Sequence, residues 1–143
     1  MQNPEQELTR AKPQILICDD DIAFSTELVE ALQAHGFAAV QLLTVSAVRA
    51  AILSPSILLL DLCMPDRDGI EILELLSQHE RKSHFKVVLM SGMDTVALDA
   101  AAKFCQSRGI ELLGVFRKPV ALQPLRLLLE EALRRDRVCS TVP

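Results

Sequence analysis

The sequence has few aromatic residues and few signs of a metal-bound or disulfide framework. It contains five Phe but no Trp and no Tyr in 143 residues. Its four cysteines, at positions 18, 63, 105 and 139, lie far apart and include no Cys-x-x-Cys pair. That spacing excludes the common zinc sites, and in a cytosolic protein it is typical of buried free thiols.

Long apolar runs and concentrated positive charge are also missing. No apolar run approaches the roughly 18 residues of a membrane span, and residues 1–12 are polar with mixed charge, unlike a signal peptide. The formal net charge is −4, and the one dense basic stretch is Arg134, Arg135 and Arg137, which is typical of a solvated helix end. We therefore expect a soluble cytoplasmic protein with no membrane contact and no direct nucleic-acid binding.

What the chain does contain is a large aliphatic fraction arranged in short runs. Half of its residues are hydrophobic, and 143 residues suit one domain with its own core. Five short apolar runs, which predict strands, lie at 15–18, 38–43, 57–60, 86–90 and 112–116. Each is followed by apolar residues at steps of three and four, which predicts a helix. This alternation predicts an α/β domain with a mostly parallel sheet and helices on both faces.

The limits of the periodic region predict the domain boundaries. We place an N-terminal tail at 1–13, one domain at 14–135, and a C-terminal tail or the start of a linker at 136–143, where the helical period is lost. Asp21 and Gly36 are expected to cap the two ends of the first helix. Pro124 is expected at the start of the last helix, where its missing N–H is tolerated.

Polar side chains stand where four of the five predicted strands end. They are Asp19, Asp20 and Asp21 after the first strand, Asp61 after the third, Ser91 after the fourth and Lys118 after the fifth. Ligands of open parallel sheets bind at this edge. Carboxylates gathered there repel one another unless a hard cation such as Mg²⁺ offsets their charge. A carboxylate can also attack a phosphoryl donor, and a lysine and a hydroxyl suit the charge on the transferred group.

Four segments resemble the motifs of response-regulator receiver domains. They are Ile-Leu-Ile-Cys-Asp-Asp-Asp at 15–21, Leu-Leu-Leu-Asp-Leu-Cys-Met-Pro-Asp-Arg-Asp-Gly at 58–69, Val-Val-Leu-Met-Ser-Gly at 87–92 and Phe-Arg-Lys-Pro at 116–119. The resemblance runs from about Gln14 to Leu133 and keeps the order and spacing of the family. It implies a flavodoxin-like, doubly wound fold, with five helices around a five-stranded parallel sheet of order 2-1-3-4-5.

The resemblance also implies a role for each site residue. Asp61 would be the phosphoacceptor. Asp19 and Asp20 would hold Mg²⁺ together with Asp61, and the backbone carbonyl of Cys63 would complete the metal site. Ser91 and Lys118 would each bind a phosphoryl oxygen, and the Lys118–Pro119 peptide bond would be cis.

The function implied is a phosphorylation-dependent switch of a two-component system. The phosphoryl donor would be a histidine kinase or a phosphotransfer protein, and the chain would catalyse only its own phosphorylation and dephosphorylation, without being a turnover enzyme. The long segment from Ser91 to Lys118 is similar to receivers that precede cyclic-di-GMP phosphodiesterase domains of the Glu-Ala-Leu type. A C-terminal output domain is therefore an expected partner, and the resemblance also allows a homodimer.

One position departs from the family, and the residues leave two alternative functions open while they exclude a third. Val115 stands where the family often has a Tyr or Phe whose ring moves on activation, and Phe116 should face the other side of the strand. We therefore do not expect an aromatic ring at this position to transmit the signal. A receiver-like scaffold that takes no phosphate is one alternative. A haloacid-dehalogenase-like phosphatase is a weaker one, because Cys63 occupies the position of its second aspartate. A flavin module is excluded, since three aspartates would repel its phosphate.

Overall fold

The computed structural model of the protein describes residues 13–62, 68–92 and 95–141, with the backbone alone described at Asp68, Thr95 and 136–141. Five strands alternate with five α-helices. In chain order they are β1 (Gln14–Cys18), α1 (Ile22–Ala34), β2 (Ala39–Leu42), α2 (Val45–Ala51), β3 (Ser56–Asp61), α3 (Asp68–Ser77), β4 (Phe85–Ser91), α4 (Thr95–Arg108), β5 (Glu111–Arg117) and α5 (Leu122–Thr141). A short 3₁₀ turn, Lys82–His84, precedes β4. Among the described residues, no helix combines the length and the apolar character needed to cross a membrane.

The five strands form one parallel sheet in the order β2-β1-β3-β4-β5, which confirms the predicted topology. In the centre, Cys18 of β1 pairs with Leu60 of β3, and Asp61 of β3 pairs with Met90 of β4. Because all strands run the same way, their carboxyl ends meet at one edge of the sheet. The residues that follow β1, β3, β4 and β5 are therefore brought close together.

Strand alternation divides the core into two layers, one on each face of the sheet. One layer lies under α2, α3 and α4, and its strand residues include Leu16, Leu58, Leu60, Val87 and Leu89. The other lies under α1 and α5, and its strand residues include Ile15, Ile17, Ile57, Leu59 and Val88. Every residue of β3 is buried, because helices cover this central strand on both faces.

Helix α1 has the two caps that the sequence predicts. Asp21 is extended at φ −77° and ψ 98°, and its Oδ1 accepts a hydrogen bond from the N–H of Phe24 at 3.1 Å. At the other end His35 terminates the helix, and Gly36 takes the left-handed conformation at φ 87°. The entry and exit of α1 are thus fixed locally, and the entry lies directly after the acidic residues of β1.

Helix α5 differs from the expectation at both ends. It begins at Leu122, so Pro124 is its third residue. That position is still tolerated, because the N–H groups of the first turn have no partner within the helix. At the other end the backbone stays helical to Thr141, which corrects the irregular tail expected from residue 136. The periodic spacing of apolar residues shows where a helix packs on the core. A helix can continue beyond that part of the chain, because its backbone hydrogen bonds do not require apolar side chains. The domain limit at residue 135 stays a prediction.

An irregularity in β5 changes which way its side chains point. Val87 pairs with Leu112 while Val88 pairs with Gly114, so Leu113 is an extra residue in the ladder. After it, Phe116 packs against the layer under α1 and α5. Val115 is 45% exposed. As expected, Val115 and Phe116 therefore lie on opposite sides of β5.

Candidate functional site

The structure brings the predicted site residues to one edge of the sheet. Asp19 and Asp20 follow β1, Asp61 is the last residue of β3, Ser91 is the last of β4, and Lys118 follows β5. Asp19, Asp61 and Ser91 are almost fully buried, whereas Asp20 is exposed. One carboxylate oxygen from each of the three aspartates can be chosen so that all three lie within 4.8 Å of one another. The convergence predicted from the strand ends is therefore present.

Lys118 lies between the two buried carboxylates. Its Nζ is 2.5 Å from Asp19 Oδ2 and 3.1 Å from Asp61 Oδ2, and 20% of its side chain is exposed. The ammonium donates a hydrogen bond to Asp61, and its contact with Asp19 is a closer ion pair. The Lys118–Pro119 bond is cis, as the resemblance implied. The backbone N–H of Lys118 donates to the carbonyl of Ser91 at 2.9 Å.

Opposing effects set the charge states of this pair. Burial raises the pKa of Asp19, and the negative charge of Asp61 adds to that effect, while Lys118 and the N–H of Asp21 work in the other direction. Burial also tends to lower the pKa of Lys118, but the two carboxylates outweigh it, so the pKa of Lys118 is raised. Lys118 therefore stays charged at neutral pH, and Asp19 carries its own charge at an energetic cost.

The site suits a hard divalent cation. Asp19 Oδ2 is completely buried, and it contacts the ammonium of Lys118. Among the residues that the structure describes, this ammonium is in contact with both buried carboxylates, and a third, exposed carboxylate adds further negative charge. Mg²⁺ typically binds through one or two carboxylates and keeps several waters, and the exposed Asp20 would face that hydrated side. Cys63, whose carbonyl was predicted as a ligand, lies outside the described residues.

Two residues near Asp61 and Asp19 shape the site through the backbone. Gly69, in the first turn of α3, lies so close to β3 that an added Cβ would be 2.9 Å from the backbone oxygen of Asp61. The N–H of Asp21 donates to Asp19 Oδ1 at 2.9 Å and so orients that carboxylate. In the sequence Gly69 stands only at the end of the 58–69 segment and Asp21 is expected as a cap, and neither pattern reveals the contact with the site.

Sequence reasoning missed Phe24 as a neighbour of the site. Its spacing in the sequence places it among the apolar residues of the first helix, yet the Nζ of Lys118 lies over its ring, 4.6 Å from the centroid. A phenylalanine at helical spacing gives the same pattern whether it packs only on the core or also on a cation. No signal in the sequence could have separated the two.

The structure describes the side chains of two cysteines, Cys18 and Cys105, and both are free and buried. Burial, with a smaller effect of Asp19, raises the pKa of Cys18 to about 12, so its thiol stays protonated and unreactive. The side chains of Cys63 and Cys139 lie outside the described part of the chain. Cys18 therefore adds no reactive thiol beside Asp19.

Comparison with known proteins agrees with this arrangement. The family model "Response regulator receiver domain" matches residues 15–130. The photosynthetic apparatus regulatory protein RegA of Rhodobacter capsulatus is 34% identical over 90 residues, which cover 62% of this chain and 48% of that protein. Its counterpart from Rhodovulum sulfidophilum is 32% identical over 92 residues, covering 63% of this chain and 49% of the relative. The chain thus spans about half the length of the curated relatives it matches.

Solved structures give the same fold. A response regulator from Colwellia psychrerythraea is 29% identical with a TM-score of 0.73, covering 87% of this chain and 99% of that chain. A CheY-like response regulator receiver domain from Methanospirillum hungatei is 24% identical with a TM-score of 0.69, covering 89% of this chain and 98% of that chain. At the lower identity the likeness concerns the fold alone.

Proposed function

Because the chain belongs to the response regulator receiver domain family, we propose that it is a two-component signalling switch in which Asp61 accepts a phosphoryl group. The observation that carries this proposal is the position of Lys118, whose ammonium lies between the buried carboxylates of Asp61 and Asp19. A positive charge at that point would offset the negative charge on the oxygens of a phosphoryl group transferred to Asp61. Asp61 is 2% exposed and stands at the open edge of the sheet.

In the transfer, a carboxylate oxygen of Asp61 attacks the phosphorus of a phosphohistidine. The new O–P bond forms as the P–N bond breaks, and the imidazole leaves with the electron pair of that bond. Mg²⁺, when held by Asp19, Asp20 and Asp61 with the carbonyl of Cys63, would neutralise charge on the phosphoryl oxygens. Lys118, whose ammonium contacts Asp61 Oδ2, supplies a second positive charge.

The change in charge after transfer provides the switch. A phosphoryl group adds about −1.5 to −2 charges and three acceptor oxygens. Lys118 would exchange Asp19 for one of these oxygens, and the hydroxyl of Ser91 would donate to another. Ser91 is the last residue of β4, and Lys118 directly follows β5. The loops that connect these strands to α4 and α5 would therefore be drawn towards Asp61. The phosphoryl group thereby biases an equilibrium between two conformations.

The partners follow from this reaction and remain proposals. The phosphoryl donor is a histidine kinase or a phosphotransfer protein in the cytoplasm. Since the curated relatives are about twice as long as the matched region, we propose that an output domain receives the signal, and the cyclic-di-GMP phosphodiesterase type stays a prediction. Val115, which is 45% exposed, cannot sweep out the volume of an aromatic ring, so the signal would be read on another surface.

The test is the intact mass of the protein after incubation with Mg²⁺ and acetyl phosphate. We expect the wild type to gain one phosphoryl group, and EDTA added beforehand to prevent the gain. Asp61→Asn should gain none. Asp99→Asn is the matched control, because Asp99 is an exposed aspartate on α4 outside the acidic cluster, and it should behave as the wild type.

Each other outcome has a definite reading. An equal gain in Asp61→Asn would show that the acceptor lies elsewhere. If the wild type gains no mass from acetyl phosphate or from a phosphorylated kinase, the protein is a receiver-like scaffold that accepts no phosphoryl group. Turnover of an ordinary phosphomonoester, which is not an activated donor like acetyl phosphate, would indicate a phosphatase.

A further inference from the structure

The ammonium of Lys118 lies against an aromatic face as well as between carboxylates. Its Nζ is 4.6 Å from the centroid of the Phe24 ring, which is within the range of a cation–π attraction. Four-fifths of the Lys118 side chain is buried, so solvent screens this attraction only in part. Phe24 is itself half-buried in the first turn of α1 and packs on the core layer under α1 and α5.

Phe24, Lys118 and two aspartates form a closed circuit of contacts. The N–H of Asp21 donates to Asp19 Oδ1 at 2.9 Å, and the N–H of Phe24 donates to Asp21 Oδ1 at 3.1 Å. The Phe24 ring contacts the ammonium of Lys118, and that ammonium contacts Asp19 Oδ2, which closes the circuit. The cap that starts α1 therefore fixes both the carboxylate and the ring between which the ammonium lies.

We propose that Phe24 is a positioning residue, whose ring holds the ammonium of Lys118 in place for the phosphoryl group that arrives at Asp61. This role rests on the proposed function, because it matters only if Asp61 is phosphorylated. Phe24 touches neither the phosphoryl donor nor the metal site and acts through Lys118. A lysine side chain loses much rotational freedom when it is fixed in one position. Because the Phe24 ring already restricts Lys118 before the reaction, less of this entropy has to be lost when the phosphoryl group arrives.

The ring also suits the movement that the switch requires. A cation is attracted wherever it lies over the ring within about 6 Å of the centroid. Lys118 can therefore leave Asp19 for a phosphoryl oxygen and keep its contact with Phe24. An aliphatic residue at this position would supply the same apolar packing without attracting the ammonium. This difference separates a positioning role from a packing role.

The first test detects the contact without any phosphorylation. A ring current over the ammonium end should shift the ε-methylene protons of Lys118 upfield in the NMR spectrum of the wild type. The shift should disappear in Phe24→Leu. Phe37→Leu is the matched control, because Phe37 belongs to the same core layer but lies at the far end of α1, and it should keep the shift.

The second test measures the rate of phosphorylation by acetyl phosphate at saturating Mg²⁺. Phe24→Leu should slow the reaction by about three- to tenfold, the range expected for a partly desolvated cation–π contact. Phe37→Leu should stay within about twofold of the wild type. Fluorinated phenylalanines at position 24 keep the shape of the ring but weaken its attraction for a cation, and they should slow the reaction in step with fluorination.

A double-mutant cycle decides whether Phe24 acts through Lys118. In a Lys118→Met background, Phe24→Leu should cause no further slowing. Equal slowing by Phe24→Leu and Phe37→Leu, or undiminished slowing in the Lys118→Met background, would overturn the positioning role in favour of packing. Absence of the upfield shift in the wild type would show that the contact does not form. If the wild type accepts no phosphoryl group, the proposed function fails and the positioning role with it, while the shift still reports the contact.

Discussion

Replacing Lys118 with methionine should expose the repulsion between two buried carboxylates. The variant keeps the apolar stem of the side chain but removes the ammonium that contacts Asp19 and Asp61. One oxygen of Asp19 lies within 4.8 Å of one oxygen of Asp61, and two unit charges about 5 Å apart repel by roughly 3 kcal/mol at an effective dielectric constant of about 20. Removing one partner from a buried ion pair costs about 3–5 kcal/mol, and partial exposure reduces that cost. Without divalent cations we therefore expect Lys118→Met to lose about 2–4 kcal/mol of unfolding free energy.

The loss should depend on pH in a direction that the structure determines. Burial raises the pKa of Asp19 in the folded protein, so the folded state binds a proton more tightly than the unfolded state. Stability contributed by that proton is present below the unfolded pKa and is lost as pH rises through the folded pKa. Lys118→Met removes a group that opposes this rise. The difference between variant and wild type should therefore be largest at neutral pH and shrink in mild acid.

Mg²⁺ should reverse most of the effect. A ligand at 100 times its dissociation constant stabilises the folded state by about 2.7 kcal/mol, and loss of a neighbouring positive charge should let Lys118→Met bind the ion more tightly. The assay is urea unfolding followed by circular dichroism, in EDTA and in Mg²⁺, over a series of pH values. Lys103→Met, at an exposed lysine of α4, is the control and should change little. Equal stability of Lys118→Met and wild type in EDTA at neutral pH would show that the ammonium offsets no repulsion between Asp19 and Asp61.

Three further predictions concern the surroundings of the site. Gly69→Ala should destabilise the fold by about 1–3 kcal/mol in urea unfolding, since its Cβ would meet the backbone oxygen of Asp61 at 2.9 Å, whereas Gly92→Ala has open space and should not. Equal effects of the two substitutions would contradict this close approach. Asp21→Ala should cost about 1 kcal/mol through loss of the α1 cap, and unchanged thermal unfolding would show that the cap contributes nothing. Cys18, with a pKa of about 12 and 1% exposure, should resist iodoacetamide at neutral pH until urea unfolds the protein. Rapid labelling of Cys18 in the folded state, measured by peptide mass, would contradict its burial.

Much of the fold could be predicted because burial on both faces constrains a central strand so strongly. Ile57 to Leu60 must all be apolar when helices cover the two sides of β3, and the run is visible without a structure. The convergence of Asp19, Asp61 and Lys118 then follows from geometry, because parallel strands end at a common edge. Both inferences depend only on the order of the elements.

The features that could not be predicted depend on contacts between side chains or on local irregularity. Nothing in the sequence marks Leu113 as an extra residue in β5, since one added residue leaves the strand equally apolar. The cation–π contact between Phe24 and Lys118 joins residues far apart in the chain, through an apolar face that packing alone explains. The continuation of α5 to Thr141 rests on backbone hydrogen bonds, which the apolar period does not report.

One backbone hydrogen bond affects how faithfully the domain can transmit a signal. The N–H of Lys118 donates to the carbonyl of Ser91, so the two residues that would sense the phosphoryl group are joined where β4 and β5 end. Moving one without the other would break that bond at a cost of about 0.5–1.5 kcal/mol, which makes half-switched states several-fold rarer. Ser91 and Lys118 should therefore move together in most molecules, and states in which only one of them has moved should be a minority.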